Sequence, residues 1–272
     1  DFTKVDADDQ SPMAGIPFSI TSETTGESHV ILTDKNGYAS TSADWNPHTQ
    51  HTNRGETAED GVWFGGGEAD NALGALPYDT YTVEELPCEA NAGKDLLSFS
   101  VTISRNSQTI SLGRLSNFTI GIRTEARDGK TGAKTVAAEK NASIVDTFYY
   151  ENLTVRRTYT LRGVLMDAGT GEELQVEGEP VTAETSFAPT MRNGQVELRF
   201  SLDTSALEGR TIVVYTELYW KEIKLAEHKD LADEAETVRV PTVGTTALDR
   251  DTESHVGSVS QRTVLVDTVA YT

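Results

Sequence analysis

Apolar and polar residues alternate along most of the chain with a period of two. Successive side chains of a β-strand point to opposite faces, so this alternation is typical of strands that cover a core on one side. The clearest runs lie at 17–21, 29–33, 80–84, 99–103, 159–165, 196–202 and 211–219. Gly, Asn, Asp and Pro separate the runs, and helical periodicity is almost absent. We therefore predict all-β sandwich domains with no helix longer than about three turns.

Residues 118–150 recur, without a gap, at 241–272. Among the repeated positions, Thr124 and Asp146 correspond to Thr245 and Asp267, and both pairs are 22 positions apart. A repeat of this length is a whole domain and too long for a solenoid unit. We therefore expect a tandem array, with a first domain at 1–117, a second at 118–240 and the start of a further repeat at 241–272.

Charge narrows the range of partners. The chain has 43 acidic and 23 basic residues, which gives a formal net charge of −20. Phosphate binding needs clustered Lys and Arg, so we expect no nucleic-acid partner and no attraction to an anionic membrane. No apolar run approaches the length of a membrane span, and no signal peptide is visible. If the protein is secreted, its signal and its cell-wall anchor lie outside these residues.

The single cysteine, Cys88, has no partner for an internal disulfide. A secreted array without internal disulfides needs another source of stability, such as tight packing or another covalent bond. A cytosolic location explains a single cysteine equally well. The residues around Cys88 do not resemble the thioester motif of adhesin tip domains, so we expect a buried and unreactive thiol.

Residues 41–75 form an irregular segment that contains Trp45, His48, His51, Trp63 and Phe64. Long aromatic loops inside small sandwiches are often functional, but a loop that folds over its own aromatic side chains fits equally well. The histidines lack the close spacing of a zinc site, and the acidic run at 6–9 lacks the spaced ligands of a calcium loop. We expect neither a metal nor a cofactor.

Three stretches of the second domain carry a family resemblance. They are 146–150 (DTFYY), 159–167 with 170–172 (YTLRGVLMD and TGE), and 228–238 (HKDLADEAETV). The domain resembles the immunoglobulin-like repeats of Gram-positive surface adhesins that carry intramolecular Thr–Gln ester crosslinks. The resemblance implies an immunoglobulin-like sandwich in which a Thr on the first strand attacks a side-chain amide on the last strand.

Residue by residue, the resemblance implies Thr124 as the nucleophile, Asp146 as the acid, His228 as the proton carrier and position 236 as the electrophile. An alkoxide needs a base and an amine leaving group needs a proton, so a His with a buried carboxylate suits this acyl transfer. Two positions depart from the family pattern, because position 236 is Glu and position 216 is Thr where the family has an acid. Thr245 and Asp267 would serve the next repeat.

The first domain resembles the collagen-adhesin B-type, prealbumin-like domains of pilins and surface proteins, through 4–9 (KVDADD), 13–18 (MAGIPF), 81–85 (YTVEE) and 115–117 (LSN). That family often forms a Lys–Asn isopeptide bond assisted by a Glu, which implies Lys4, Glu85 and Asn117 here. Burial of a Lys and a Glu in an apolar core favours the neutral forms that this reaction needs. The alternative is a surface Lys and a structural Asn.

These patterns predict a structural stalk segment of a cell-wall-anchored bacterial adhesin, stabilised by self-generated ester or isopeptide crosslinks. Its partners would be neighbouring domains of the array and an unknown host surface ligand. The alternative is a ligand-binding module that uses the 41–75 segment. An enzyme with turnover is disfavoured, since the chain has no nucleophile elbow, glycine-rich phosphate loop or metal motif.

Overall fold

The structure is a computed structural model that describes residues 1–50, 60–106, 108–257 and 262–271. The expected all-β fold is confirmed, because the described residues form strands and one 3-10 helix of three residues, Glu89–Asn91. None of them forms a helix long and apolar enough to span a membrane. The chain divides into two compact units, residues 1–121 with 151–155, and residues 122–150 with 156–272.

Seven strands build the first unit. They are β1 (Phe2–Asp6), β2 (Pro17–Ser22), β3 (Ser28–Leu32), β4 (Tyr38–Ala39), β5 (Asp79–Glu85), β6 (Ser98–Ile103) and β7 (Arg114–Asn117). One sheet has the order β4-β1-β7 and the other the order β3-β2-β5-β6. Apolar side chains of the two sheets meet between them, as the T-shaped contact of Phe2 with Phe18 shows (ring centroids 4.8 Å apart).

The first strand of this unit lies beside its last strand. β1 pairs with β7 in parallel, with Lys4 opposite Leu115 and Asp6 opposite Asn117. On β5, Tyr81, Val83 and Glu85 are buried while the residues between them are partly exposed, so alternation points Glu85 into the core. The topology therefore brings Lys4, Asn117 and Glu85 to one region of the core.

The second unit holds the remaining strands. They are β8 (Gly121–Asp128), β9 (Ala142–Glu151), β10 (Tyr159–Asp167), β11 (Glu172–Glu173), β12 (Gln175–Val176), β13 (Glu179–Pro180), β14 (Thr182–Phe187), β15 (Gly194–Leu202), β16 (Thr211–Trp220), β17 (Ile223–His228), β18 (Thr237–Arg239), β19 (Val243–Asp249) and β20 (Leu265–Tyr271). One sheet has the order β15-β9-β8. The other has the order β11-β10-β16-β17, with β14 paired to β10 and β18 paired to β16.

These two sheets face each other across a packed core. Gly163 on β10 shows how closely they approach, because a Cβ atom there would come within 2.8 Å of the side chains of Leu198 and Phe200 on β15. β18 is held on both sides, since it pairs with β16 while Arg239 forms a parallel bridge with Thr135 in the segment after β8. The end of the domain thus returns to its beginning.

The repeated segment 241–272 forms a two-stranded hairpin of β19 and β20. Its first turn copies the turn that follows β8. Asp128 accepts hydrogen bonds from the backbone of the next residues, and Asp249 does the same 121 positions later. Gly132 and Glu253, which correspond in the repeat, both have positive φ angles, of 71° and 51°. The repeat in sequence is therefore a repeat in backbone geometry.

Candidate functional site

The buried cluster of the second unit begins on two neighbouring strands. Thr124 on β8 and Asp146 on β9 point into the core and are almost completely buried, with exposed fractions of 1% and 0%. Asp146 Oδ1 accepts a hydrogen bond of 3.1 Å from the backbone N–H of Glu125, the residue after Thr124. The carboxyl group is thereby fixed to the strand that carries the threonine.

Glu236 reaches the same cluster from the segment that precedes β18. The backbone N–H of Ala126 on β8 donates to the carbonyl of Ala235 (2.9 Å), and the N–H of Val214 on β16 donates to the carbonyl of Glu236 (3.1 Å). Residues 235 and 236 thus cross from the edge of one sheet to the other. This route buries the Glu236 side chain completely, beside the strand of Thr124.

The two acids of this cluster have strongly perturbed protonation. Burial raises the pKa of Glu236, the charge of Asp146 raises it further, and the nearby Thr124 hydroxyl opposes both effects. Burial also raises the pKa of Asp146, against the backbone hydrogen bond from Glu125 and the charges of His228 and Lys134. Two buried carboxyl groups that repel each other hold one proton between them in the neutral range.

Several polar atoms of the cluster lack hydrogen-bond partners among the residues that the structure describes. They are Thr124 Oγ1, Asp146 Oδ2, Thr216 Oγ1 and both carboxyl oxygens of Glu236. The Thr124 hydroxyl lies close enough to Glu236 to affect its pKa but is not aligned for a hydrogen bond. Buried polar atoms without partners are costly, and their concentration at one point marks a reactive site better than a purely structural one.

His228 lies at the end of β17, opposite Thr216 on β16, and its side chain is 26% exposed. Its Nε2 atom lies 2.8 Å from Asp233 Oδ2, and Asp233 Oδ1 accepts a hydrogen bond of 2.7 Å from the N–H of Ala235. Asp233 therefore links the histidine to the residue before Glu236. The sequence analysis missed Asp233, although it lies in the stretch 228–238 three positions before Glu236.

Lys134 is a second residue that the sequence analysis missed. Its ammonium group donates hydrogen bonds to the carbonyls of Ala126 (2.7 Å) and Ala235. Burial lowers its pKa, and the charges of Glu125, Glu236 and Asp233 oppose this shift. The Lys134 side chain thus links β8 to the segment before β18. Its two acceptors lie two residues after Thr124 and one residue before Glu236. No motif in the sequence signals it.

The first unit contains a separate buried cluster around Glu85. Lys4 and Glu85 are both fully buried side chains, and Lys4 Nζ lies 3.9 Å from Glu85 Oε2. The amide of Asn117, also fully buried, lies 2.5 Å from Glu85 Oε1, and Asn117 Oδ1 has no hydrogen-bond partner. All three residues named from the sequence therefore meet.

Desolvation dominates the electrostatics of this second cluster. Burial lowers the pKa of Lys4 to about 8, although the charge of Glu85 opposes the shift. Burial also raises the pKa of Glu85, against Lys4 and hydrogen bonds from Asn91, Leu97 and Asn117. A neutral amine beside a neutral acid is the combination that amide exchange needs. Asn91, which the sequence analysis missed, shares Glu85 Oε1 with Asn117.

The other residues named from the sequence lie apart from these clusters. Thr245 on β19 and Asp267 on β20 are exposed on the hairpin, where Thr245 faces Val269 and Asp267 faces Ala247. His51 lies outside the described residues. Within them, no group of three or more His, Cys, Asp or Glu side chains is arranged to hold a metal ion.

The 41–75 segment turns its aromatic side chains inward. Trp63 and Phe64 belong to the core, and His48 packs against Trp63 with ring centroids 5.4 Å apart. The described parts of the segment border a cleft of about 750 Å³, whose floor includes Phe2, Ile31 and Tyr81. The half-buried thiol of Cys88 packs against the same core.

The nearly all-β chain thus carries a buried threonine beside a buried side-chain carboxyl group. The family model of the T-Q ester bond containing domain matches residues 120–240 and again residues 241–272. The chain belongs to this family. A comparison with curated proteins found no significant match.

The solved structures to which this chain is similar include bacterial adhesins and pilins. A bacterial adhesin from Mobiluncus mulieris, containing intramolecular disulfide, isopeptide and ester bond crosslinks, is 16% identical over 56% of this chain and 73% of its own, with a TM-score of 0.40. The major pilin subunit of Bacillus cereus is 13% identical over 99% and 82% (TM-score 0.31). The Corynebacterium diphtheriae major pilin is 9% identical over 91% and 70% (TM-score 0.33).

Proposed function

We propose that the chain is a stalk segment of a bacterial cell-surface adhesin or pilin, built from β-sandwich domains that form their own covalent crosslinks. The observation that carries the proposal is the buried meeting of Thr124 with Glu236 and Asp146, between the first strand and the last segment of a T-Q ester bond domain. The array consists of domains 1–117 and 118–240, followed by the beginning of a further repeat. Its partners are the neighbouring domains.

In the second domain the reaction is the condensation of an alcohol with an acid. Thr124 Oγ1 attacks the Glu236 carboxyl carbon, and the threonine proton passes to the Asp146 carboxylate. The carbon–hydroxyl bond of Glu236 then breaks, and the leaving hydroxyl takes the proton from Asp146 and departs as water. The reaction needs Glu236 protonated and Asp146 ionised, which is the singly protonated state that mutual repulsion favours. His228 and Asp233 connect the cluster to solvent.

In the first domain the reaction is an amide exchange. The neutral Lys4 amine attacks the side-chain carbonyl carbon of Asn117 while the Glu85 acid donates its proton to the carbonyl oxygen. Glu85 takes a proton from the attacking Lys4 nitrogen and passes it to the Asn117 side-chain nitrogen. The carbon–nitrogen bond of the Asn117 amide then breaks, ammonia leaves, and the carbonyl oxygen returns its proton to Glu85. The product is a secondary amide between β1 and β7. The raised pKa of Glu85 and the lowered pKa of Lys4 both favour the reactive forms.

The isopeptide would connect the first and last strands of its domain, and the ester would connect the first strand of its domain to the segment just before β18. In the chain-entropy account of crosslinks, closing a loop of roughly 110 residues stabilises a domain by about 4–5 kcal/mol. A larger benefit is kinetic, since a protease or an applied force cannot separate strands that a covalent bond joins. The chain has one cysteine, so crosslinks of this type would take the place of internal disulfides.

Intact mass spectrometry of the purified chain tests the proposal. An ester at Glu236 removes water, about 18 Da, and an isopeptide at Asn117 removes ammonia, about 17 Da. The expected result is at least one of these losses, with peptides 120–130 and 230–240, or the peptides around Lys4 and Asn117, recovered as crosslinked pairs. A chain with its full calculated mass after folding contradicts both crosslinks and the stalk built on them.

A second candidate function is ligand binding by the first domain. The observation in its favour is the cleft of about 750 Å³ beside the 41–75 segment, a size that suits a small ligand or a peptide side chain. Because Trp63 and Phe64 are core residues, the binding surface would be the cleft rather than exposed aromatic side chains. The test is binding of the chain to host matrix proteins. Binding that is lost when Leu73→Asp is introduced at the cleft, while the fold stays intact, would favour this candidate.

A further inference from the structure

Four groups surround the Glu85 carboxyl and fix its orientation. Oε1 receives the Asn91 side-chain amide at 2.9 Å and lies 2.5 Å from the Asn117 amide. Oε2 accepts a hydrogen bond of 3.1 Å from the backbone N–H of Leu97 and lies 3.9 Å from Lys4 Nζ. One oxygen therefore faces the amide that the proposed crosslink consumes, and the other faces the amine.

Glu85 Oε1 lies 2.5 Å from the Asn117 amide, the group that the proposed crosslink consumes. A half-turn of the Asn117 amide exchanges its oxygen and nitrogen without moving other atoms. With Oδ1 turned toward Oε1, a proton on Glu85 would be donated to the carbonyl that must be polarised.

Asn91 is held more tightly than a surface turn requires. It is 2% exposed, and its Nδ2 group donates to Glu85 Oε1 and to the carbonyl of Leu86, both at 2.9 Å. Its Oδ1 atom accepts a hydrogen bond of 2.7 Å from the N–H of Cys88. The 3-10 turn therefore presents a fixed N–H donor to Glu85 Oε1 and holds that oxygen beside the Asn117 amide.

We propose that Asn91 is a positioning residue for the Lys4–Asn117 crosslink, holding Glu85 Oε1 against the Asn117 amide and Oε2 toward Lys4. The recorded hydrogen bonds of the Asn91 side chain go to Glu85, Leu86 and Cys88, so it acts on the reacting groups through Glu85. This role rests on the crosslink proposed above for the first domain.

Charged groups around Glu85 set how the reaction depends on pH. Lys4 faces it from β1, while Asp6 and Lys94, whose charged groups are 2.7 Å apart, act on Lys4. The Asn91 hydrogen bond lowers the pKa of Glu85 against the effect of burial. Removing this donor therefore raises the pKa of Glu85 and moves the loss of its proton to higher pH, although the carboxyl is then less well placed.

The experiment follows crosslinking after refolding. Chain recovered from inclusion bodies in urea, and so not yet crosslinked, is diluted into buffers of different pH, and the loss of about 17 Da is timed by mass spectrometry. Asn91→Asp is the sharpest variant, since it keeps an acceptor for the Cys88 N–H but loses the donor to Glu85. Asn91→Ala removes both, and Asn36→Asp makes the same chemical change in an exposed turn.

We expect Asn91→Asp and Asn91→Ala to crosslink at least about tenfold more slowly than wild type, as misplaced reacting groups do. The alkaline limit of their rate profiles should move to higher pH, while Asn36→Asp behaves as wild type. Equal rates in Asn91→Asp and wild type, or slower rates with an unmoved pH profile, overturn the positioning role. If wild type refolds without losing ammonia, or loses it equally after Lys4→Ala, the proposed crosslink itself is wrong.

Discussion

Replacing Glu236 with Gln should convert the second domain from a condensing site to an ammonia-releasing one. In the reaction proposed for the wild type, Glu236 would react only when protonated, and Asp146 would accept the threonine proton only when ionised. Burial raises the pKa of both groups, and the charge of Asp146 raises that of Glu236 further, so the singly protonated pair exists in a limited window around neutral pH. Glutamine is neutral at every pH, so the Glu236→Gln chain needs only the Asp146 carboxylate.

The two chains should therefore differ in pH profile as well as in mass. We expect the wild-type rate of ester formation to rise and then fall as pH increases, because the last proton leaves the pair at high pH. The Glu236→Gln rate should rise with pH and stay high. The ester formed by the Glu236→Gln chain is lighter than the unreacted chain by about 17 Da, whereas the wild-type ester is lighter by about 18 Da. Adding Thr216→Glu should make the reaction more complete, because it supplies the acid that the family has at this position.

Refolding time courses by mass spectrometry measure both quantities, with Thr124→Val as the matched control that keeps the shape of the side chain but removes the nucleophile. The crosslinked domain should gain about 4–5 kcal/mol over the Thr124→Val domain in urea unfolding, from a closed loop of roughly 110 residues. The Lys4–Asn117 crosslink of the first domain also releases ammonia, so the readout is a second loss of about 17 Da. A second loss that persists in Glu236→Gln with Thr124→Val, or the absence of a second loss in Glu236→Gln alone, refutes the assignment. A wild-type chain that loses water as fast as the variant loses ammonia refutes the argument that Glu236 is the poorer electrophile.

Three further outcomes are expected. Lys4→Ala and Glu85→Gln should each abolish the loss of about 17 Da, and tryptic digestion should then separate peptides that stay joined in the wild type. Thr124→Val cannot form the ester, so its stability shows how the titration of Glu236 affects folding. The pKa of Glu236 is raised in the folded chain above its value in the unfolded chain. The contribution of Glu236 to the free energy of unfolding should therefore be fully present near pH 4 and lost as pH rises through the raised pKa, as urea unfolding can show. Asp233→Asn should slow ester formation because His228 loses the carboxylate that orients it; an unchanged rate would show that the histidine is dispensable.

The sequence was informative wherever a pattern repeats. Alternation located the seven clearest strands to within one or two residues, because each has one face in a core and one face in solvent. The recurrence of Thr124 with Asp146 in the second copy singled out two residues that the fold buries side by side. Family resemblance added Glu236, which no periodicity distinguishes from other acidic residues of this chain.

Sequence patterns did not indicate the residues whose contacts depend on turns or on backbone acceptors. Asn91 contacts Glu85 only because a three-residue 3-10 turn points it back into the core, and asparagine in a loop ordinarily suggests a surface turn. Lys134 bonds to two backbone carbonyls that are distant from each other in sequence, and such acceptors have no side-chain signature. The inward packing of Trp63 was also one of two open alternatives, because aromatic composition does not reveal which way a loop folds.

The parallel pairing of β1 with β7 determines how the first domain is connected to its surroundings. In a parallel pair, one strand begins where the other begins, so the chain enters beside one end of the pair and leaves beside the opposite end. Tension between the two ends then acts along the strands, and every inter-strand hydrogen bond is strained at once instead of one after another. With Lys4 joined to Asn117, nearly all of the contour length of the domain would be excluded from extension. An array of such units would behave as a tether of constant length.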